Sequence, residues 1–186
     1  MVGVAPLMAE VDAGLADAVF GAAMRQAARG ASCFLISGDL SASIRHNAEW
    51  IALLAETPIL PLVVAEGAVG LRGLALLLLA DLAFAGPNAR WAGSEHASLS
   101  ELAAIRLGPL AARQMAMSSD PVAALVAAGQ VTRADDPLNM ARAQGAALTG
   151  TAHRLRRGWR AARDLPSDEA LIYGGWFNAS ETKEEV

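Results

Sequence analysis

The sequence predicts a mixed α/β fold, and the evidence is concentrated in one stretch near the middle of the chain. Residues 61–65 are apolar and rich in valine, as expected for a short strand buried on both faces. Three glycines then mark a turn: Gly67, Gly70 and Gly73. Leu74–Ala80 is apolar on every side, which is typical of a helix buried all round, and Asp81 ends it. Leu82–Ala85 resumes as a strand, so strands and helices alternate as in α/β proteins.

The segments before this stretch predict two strands and two helices. Val2–Leu7 is expected to be a strand. Met8–Arg29 is rich in alanine, lacks proline and has apolar residues at near-helical spacing, which predicts a helix ending at Gly30. Ser32–Ser37 is expected to be a buried strand, and Ile44–Ala55 a second helix.

The segments after it are predicted to be helical. Ser98 and Glu101 have the spacing of a capping box, which indicates a helix start. Helices are expected at about 99–107, 109–117 and 121–128. Pro137–Arg163 is expected to form one long helix, with arginines near its end, where cations stabilise the helix dipole.

Composition limits the class of protein. At 186 residues and a net charge of −4, the chain fits one domain, and the lack of a basic block argues against nucleic-acid binding. Three histidines and one cysteine, Cys33, give no metal-ligand spacing. The first residues lack the basic start of a signal peptide, and Leu74–Ala85 is too short for a membrane span, which takes about 20 apolar residues. The expected location is the cytoplasm, with no membrane partner.

The central stretch resembles the crotonase (enoyl-CoA hydratase/isomerase) superfamily, best between about residues 59 and 96. Members of that family share a Pro-x-Ile-Ala-Ala-Val-x-Gly strand, a triple-glycine turn, a buried helix ending at Asp and a further strand. A weaker match continues through Ala112–Val131. The resemblance implies an α/β fold that is a crotonase-like spiral of ββα units with C-terminal helices. It implies a crotonase-like core, residues 1–135, and a C-terminal helical oligomerisation region, residues 136–186.

The resemblance also implies where the chemistry would take place. The middle glycine of the family's triple, whose N–H forms half of the oxyanion hole, falls on Arg72. The first catalytic glutamate of the hydratases falls on Ala75 and the second on Glu95, which leaves Glu95 as the single base. A turn before a helix N-terminus also presents N–H groups, and Gly70 and Gly73 would let a thioester approach the backbone closely.

The second oxyanion donor depends on how the short N-terminal half is aligned. In one alignment Phe34–Leu40 matches the family's F-C-A-G-A-D-L loop, which makes Gly38 the donor and puts Ile36 and Gly38 beside coenzyme A. In the other, Cys33–Gly38 is the strand that precedes this loop, and the loop itself is deleted. The sequence leaves both alignments open.

Each polar candidate has two interpretations. Glu95 is a general base if it lies in a mostly apolar pocket, and an ordinary surface residue if it lies in a solvated loop. His96 beside it is either a second acid or base or a loop histidine. The arginines within 154–163 either pair with coenzyme A phosphates across a subunit boundary or form a solvated helix face. Asp39 is expected to order its loop, and Asp81 is expected to be structural.

The resemblance implies an acyl-thioester enzyme of the enoyl-CoA hydratase/isomerase type, in which backbone N–H groups stabilise an enolate. Its substrate would be a thioester of coenzyme A or of a carrier protein, with no tightly bound cofactor. One alternative is a catalytically reduced subunit that supports a partner enzyme in secondary metabolism, and another is a thioester decarboxylase or hydrolase. The expected assembly is a homotrimer, a hexamer or a hetero-oligomer with another crotonase-like chain. Leu155, Trp159 and the aromatic residues of 173–177 are its expected contacts.

Overall fold

The architecture is a parallel sheet with helices on both faces. The computed structural model describes residues 8–44, 49–164 and 169. The strands of the main sheet lie in the order β1 (Met8–Asp12), β2 (Cys33–Ser37), β3 (Leu60–Ala65), β5 (Leu82–Ala85) and β7 (Val131–Arg133). All neighbouring strands in it are parallel. Two short strands, β4 (Ala68–Val69) and β6 (Arg90–Trp91), form a second parallel sheet. The predicted α/β class is confirmed.

Helices connect most of these strands. In chain order the α-helices are α1 (Asp17–Ala27), α2 (Glu49–Glu56), α3 (Leu71–Leu79), α4 (Ser100–Leu107), α5 (Pro109–Met117), α6 (Pro121–Ala127), α7 (Pro137–Leu148) and α8 (Ala152–Asp164). A 3₁₀ turn at His96–Leu99 precedes α4. Within the described ranges, no helix has both the length and the apolar character needed to cross a bilayer.

The core lies on both faces of the main sheet because side chains alternate along each strand. In β2, Phe34 and Ile36 face one cluster, which also contains the buried leucines of α3. Cys33 and Leu35 face the other, which contains Ala141 of α7 and Ala152 of α8. The buried helix predicted from the run of leucines is confirmed, since Arg72–Leu79 are all buried.

Two predicted helices differ from the observed ones. Met8–Asp12 is not helical, because it pairs in parallel register with Cys33–Ser37, and the helix begins only at Asp17. The predicted long helix Pro137–Arg163 is two helices, and the break at 149–151 contains two threonines and a glycine, which are weak helix formers. The predicted strand Val2–Leu7 lies outside the described residues.

One prediction about where the later helices begin is also wrong. The capping box at Ser98 does not form, because residues 96–99 make the 3₁₀ turn and α4 begins at Ser100 without a side-chain cap. α6 and α7 instead begin with an Asp–Pro pair. Asp120 and Asp136 accept backbone N–H bonds as N-caps, and the proline takes the first helical position, where no N–H is needed.

Candidate active site

The turn before α3 is closed by another segment of the same chain. The amide of Gly70 donates to the carbonyl oxygen of Leu40 at 2.8 Å, and the amide of Arg72 donates to that of Ala42 at 3.0 Å. Leu40 also forms a parallel bridge with Val69. Donors two residues apart on one segment therefore pair with acceptors two residues apart on the other, as in a parallel ladder. The amide of Arg72 is not available as an oxyanion donor, contrary to the expectation from the sequence.

The glycines of this turn have a packing explanation. A Cβ on Gly70 would lie within 3.0 Å of the backbone oxygen of Ser41, and one on Gly73 would lie 2.5 Å from the oxygen of Leu40. Only glycine allows segment 40–42 to approach so closely. The close backbone approach predicted for a thioester at Gly70 and Gly73 is thus made by the chain itself.

The side chain of Arg72 is buried behind the turn, with 3% of its surface exposed. Its Nη1 donates to the carbonyl oxygen of Leu15 at 2.5 Å and lies 3.6 Å from Oδ1 of Asp17. Its guanidinium carbon lies 4.6 Å from the ring centroid of Phe20 and 5.8 Å from that of Trp50, which are cation–π distances. Burial lowers the pKa of the guanidinium, and the carboxylate of Asp17 acts in the opposite direction.

The hydrogen bonding of the Arg72 guanidinium is incomplete. Among the residues that the structure describes, Nε and Nη2 of Arg72 have no hydrogen-bond partner, although both atoms are buried. A buried donor without a partner costs about 1–3 kcal/mol. The side chain therefore fills the space behind the turn without the full set of bonds that a buried arginine can make.

Glu95 lies near the turn, but in solvent. The loop that carries it touches the turn at Gly93, where a Cβ would lie 3.3 Å from Cα of Gly70. Glu95 itself is exposed and has a left-handed backbone with φ of 61°. Its carboxylate makes no hydrogen bond or ion pair with any other described residue. The structure brings the loop of Glu95 to the turn at Gly93, but Glu95 itself is exposed and its carboxylate is not enclosed in an apolar pocket.

The other proposed ligand contacts lie at the end of β2. Ile36 is fully buried in the core, so its side chain is not available to coenzyme A. Gly38 has a φ of +103°, and the position of its missing Cβ is occupied by Oδ1 of Asp12, which accepts a bond from Gly14. Glycine is needed at position 38 for the fold. Whether its N–H serves as an oxyanion donor stays a prediction.

The position of β2 favours one of the two alignments. Cys33–Ser37 pairs with β1 on one side and β3 on the other, so it is a central strand rather than a loop. The second alignment makes Cys33–Gly38 a strand of this kind and deletes the loop that follows it in the family. The few residues that remain, from Gly38 to Ala42, turn directly onto the α3 turn and close it.

The remaining polar candidates have structural contacts. Nε2 of His96 lies 3.2 Å from the carbonyl oxygen of Ala116, and its ring meets Trp91 edge-on. Asp39 accepts a hydrogen bond from the amide of Ser41, as expected for a residue that orders its loop. Hydrogen bonding from the side chain of Ser41, and then from its amide, lowers the pKa of the Asp39 carboxyl. In the described part of the chain, no three His, Cys, Asp or Glu side chains are grouped as a metal site would require.

Sequence reasoning missed the groups that do most to hold α3. At its N-terminus these are backbone carbonyls of Leu40 and Ala42, which have no side-chain signature. At its C-terminus, Arg106 donates to the carbonyls of Leu78 and Ala80, both at 2.9 Å. Arginine near a helix end is a recognised capping signal, but Arg106 is far from α3 in sequence, so only the fold reveals it.

Comparison with solved structures gives the fold. The chain superposes with a TM-score of 0.74 on an enoyl-CoA hydratase/isomerase family protein from Silicibacter pomeroyi, at 18% identity, covering 95% of this chain and 96% of the other. An enoyl-CoA hydratase from Geobacillus kaustophilus gives 0.71 at 17% identity, with 96% and 86% covered. One from Thermoplasma volcanium gives 0.71 at 15% identity, with 91% and 82% covered.

Sequence comparison alone adds nothing to this result. No protein-family model matches the chain, and no curated protein matches it either. The similarity thus lies in the three-dimensional arrangement, over nearly the full length of both chains. The resemblance suggested by the central stretch is confirmed at this level: the chain has the crotonase fold, the fold of enoyl-CoA hydratase/isomerase family proteins.

Proposed function

We propose that this chain is a catalytically reduced crotonase-fold subunit that supports a partner chain. The observation that carries the proposal is the hydrogen bond from the Arg72 amide to the oxygen of Ala42. Thioester enolates need that N–H to be free, and loss of one oxyanion donor typically costs about 3–4 kcal/mol of transition-state stabilisation. Freeing it here means breaking the ladder that holds segment 40–42 against α3.

Position 75 supports the same proposal. Ala75 stands where the resemblance puts the first catalytic glutamate, and it is fully buried among the leucines of α3. A carboxylate there would be desolvated without a partner, which is costly. One of the two expected N–H donors is therefore bonded within the fold, and one of the two expected carboxylates is replaced by a buried alanine.

A supporting subunit needs a contact surface, and the helices beyond the sheet supply candidates. Ile105, Leu110 and Met117 on α4 and α5 are exposed large apolar residues, as is Trp159 on α8. Exposed apolar and aromatic residues are typical of interface cores. We propose residues 136–186, which include Trp159, as the oligomerisation region and the exposed residues of α4 and α5 as further contacts. The proposed partner is a second crotonase-like chain or further copies of this one. The aromatic residues of 173–177 lie outside the described part of the chain.

The enzymatic part of the proposal is tested by enolate formation. The protein is incubated in D₂O with a panel of saturated and unsaturated acyl-CoA thioesters, and exchange of the proton next to the carbonyl is followed by mass spectrometry. This assay detects an enolate whatever reaction follows it. We expect exchange no faster than in buffer, with an active crotonase as the positive control. Exchange or turnover of any thioester above buffer would reject the proposal.

The assembly part is tested separately by light scattering coupled to size exclusion. We expect either an oligomer or a monomer that assembles when a crotonase-like partner chain is co-expressed. A stable monomer that binds no such chain would count against a supporting role, whatever the result in D₂O.

A second candidate is a single-base enoyl-thioester isomerase, and the exposed Glu95, whose loop reaches the turn at Gly93, favours it. In this case the wild type shifts the double bond of an enoyl thioester, and Glu95→Gln abolishes the shift while thioester binding persists. Glu101→Gln, a change at an exposed glutamate of α4, is the matched control. An isomerase whose activity survives Glu95→Gln would remove Glu95 from the mechanism.

A further inference from the structure

A small cavity lies where α8 meets the end of α2. Its volume is about 130 Å³, and Pro58, Arg156, Arg157 and Arg160 line it. Most of the lining surface is apolar, although three of these four residues are arginines. The walls are therefore formed largely by the proline ring and by arginine stems, which commonly lie along apolar surface while the charged end points elsewhere.

The charged ends of two of these arginines are already engaged. In Arg156, Nε donates to the carbonyl oxygen of Thr57 at 2.8 Å, Nη2 donates to that of Leu54 at 2.6 Å, and Nη1 pairs with the carboxylate of Asp81. Nη1 of Arg160 donates to the carbonyl oxygen of the last residue of α2 at 2.6 Å. These bonds hold the two side chains in place, so the cavity suits an occupant that needs no hydrogen-bond donor.

The size and the walls of the cavity fit one aromatic ring. A cavity of about 150 Å³ in a protein core holds benzene. Guanidinium groups also stack on aromatic faces, and this contact does not require a free N–H group. An aromatic side chain therefore matches both the apolar walls and the positive charge around them.

The sequence beyond α8 supplies such side chains. Tyr173, Trp176 and Phe177 stand within five residues of one another. The described helix ends at Asp164, one turn beyond Arg160 at the cavity. Tyr173 follows Asp164 by nine residues, and a chain of that length spans up to about 30 Å. The aromatic residues are thus within reach of the cavity of their own chain, and a short tether gives an effective concentration on the order of millimolar.

We propose that the cavity between α2 and α8 holds one aromatic ring of residues 173–177 of the same chain and thereby fastens the C-terminal segment to the domain. A ring from a second copy lacks the tether, so the same contact would then require a high protein concentration. The inference does not rest on the proposed function, because Trp159 and the exposed residues of α4 and α5 remain as contacts for a partner chain.

Cleavage of the full chain by chymotrypsin tests the proposal, because the hydrophobic specificity pocket of this protease accepts the same aromatic side chains. The rate of cleavage within residues 173–177 is followed by mass spectrometry, with a synthetic peptide of residues 169–186 as the unprotected reference. We expect cleavage at least about tenfold slower in the full chain, since a bound ring is cut only after it leaves the cavity. The rate should not change when the protein is diluted.

Two variants of α8 decide whether the cavity is responsible. Arg157→Ala removes one wall of the cavity, and we expect about fivefold faster cleavage, as loss of one cation–π contact would cause. Arg154→Ala is the matched control, three residues earlier on the same helix and outside the lining, and should leave the rate unchanged. If Arg157→Ala does not fold by circular dichroism, Pro58→Ala removes another wall in its place.

Three results would overturn the proposal. One is cleavage as fast in the full chain as in the peptide, and another is an equal effect of Arg157→Ala and Arg154→Ala. The third is a rate that rises on dilution, because the ring would then come from a second copy. Thioester exchange in D₂O enters none of these measurements, so failure here and failure of the proposed function are distinguishable.

Discussion

Two buried arginines lie near opposite ends of α3, and they are held in different ways. Near the C-terminal end, Arg156 uses all three of its nitrogens and joins Asp81 to the end of α2. At the N-terminal end, Arg72 makes one hydrogen bond and leaves two buried nitrogens without a partner in the described residues. The comparison separates an arginine whose nitrogens are all bonded from one that is held through a single nitrogen, Nη1, which contacts Leu15 and Asp17. At the N-terminal end of α3, the turn is held by its backbone, because the amides of Gly70 and Arg72 donate to the carbonyl oxygens of Leu40 and Ala42.

Arg156→Met should show the largest effect. The change leaves the carbonyls of Leu54 and Thr57 without their donor and removes one of the two partners of Asp81. Breaking a buried ion pair by removing one partner typically costs about 3–5 kcal/mol of the free energy of unfolding. Urea unfolding followed by circular dichroism measures it.

Arg142→Met is the matched control for that change. Arg142 pairs with Glu10 at the surface, where both side chains are about half exposed, so its loss should hardly alter the unfolding midpoint. Equal midpoints for the two variants would show that Arg156 does not tie α8 to the core.

Gly70→Ala should have the next largest effect. The new methyl group would overlap the backbone oxygen of Ser41, so segment 40–42 must move away from the turn. Overpacking of this kind costs about 1–3 kcal/mol. Gly67→Ala is the control, because Gly67 is exposed and no atom lies within 4 Å of the added Cβ. Unfolding midpoints that match for both variants would mean that segment 40–42 does not lie against Gly70.

Arg72→Met should have the smallest effect. The change loses the bond to Leu15, the ion pair with Asp17 and the contact with Phe20. It also removes a buried charge and two unpartnered donors, and Asp17, which is partly exposed, keeps its hydrogen bond from Trp50. These terms oppose each other, so the free energy of unfolding should change by less than about 1 kcal/mol. A loss as large as that of Arg156→Met would show that Arg72 also ties elements together and that the comparison is wrong.

The helix α3 with its flanking strands and the glycine turn before α3 differ in how far the sequence predicts them. The run of leucines and the strand segments around it have clear patterns, so the buried helix and its flanking strands are found where they were expected. The glycines of the turn are compatible with a ligand contact in the sequence, because a glycine indicates only that another group comes close. The sequence does not say whether that neighbour is a thioester or segment 40–42, which pairs through its backbone alone.

Where the sequence pattern predicts an element or a partner wrongly, the reason is again a contact with a distant part of the chain. Met8–Asp12 follows the apolar spacing of the helix after it, and only pairing with β2 makes it a strand. Asp81 is structural, as the sequence predicts, but its partners are the side chains of Arg106 and Arg156, which are distant in sequence. Local patterns predict the elements, and long-range contacts decide their limits and the state of the candidate site.

The central claim is that the Arg72 amide is bonded within the fold, and amide hydrogen exchange measured by NMR tests it most directly. In the wild type we predict slow exchange at Gly70 and Arg72, whose amides donate to Leu40 and Ala42, and fast exchange at exposed Gly67. Addition of an acyl-CoA thioester should leave the Arg72 amide protected and its chemical shift unchanged. Exchange at Arg72 as fast as at Gly67, or a saturable shift of its amide on adding the thioester, would contradict the account.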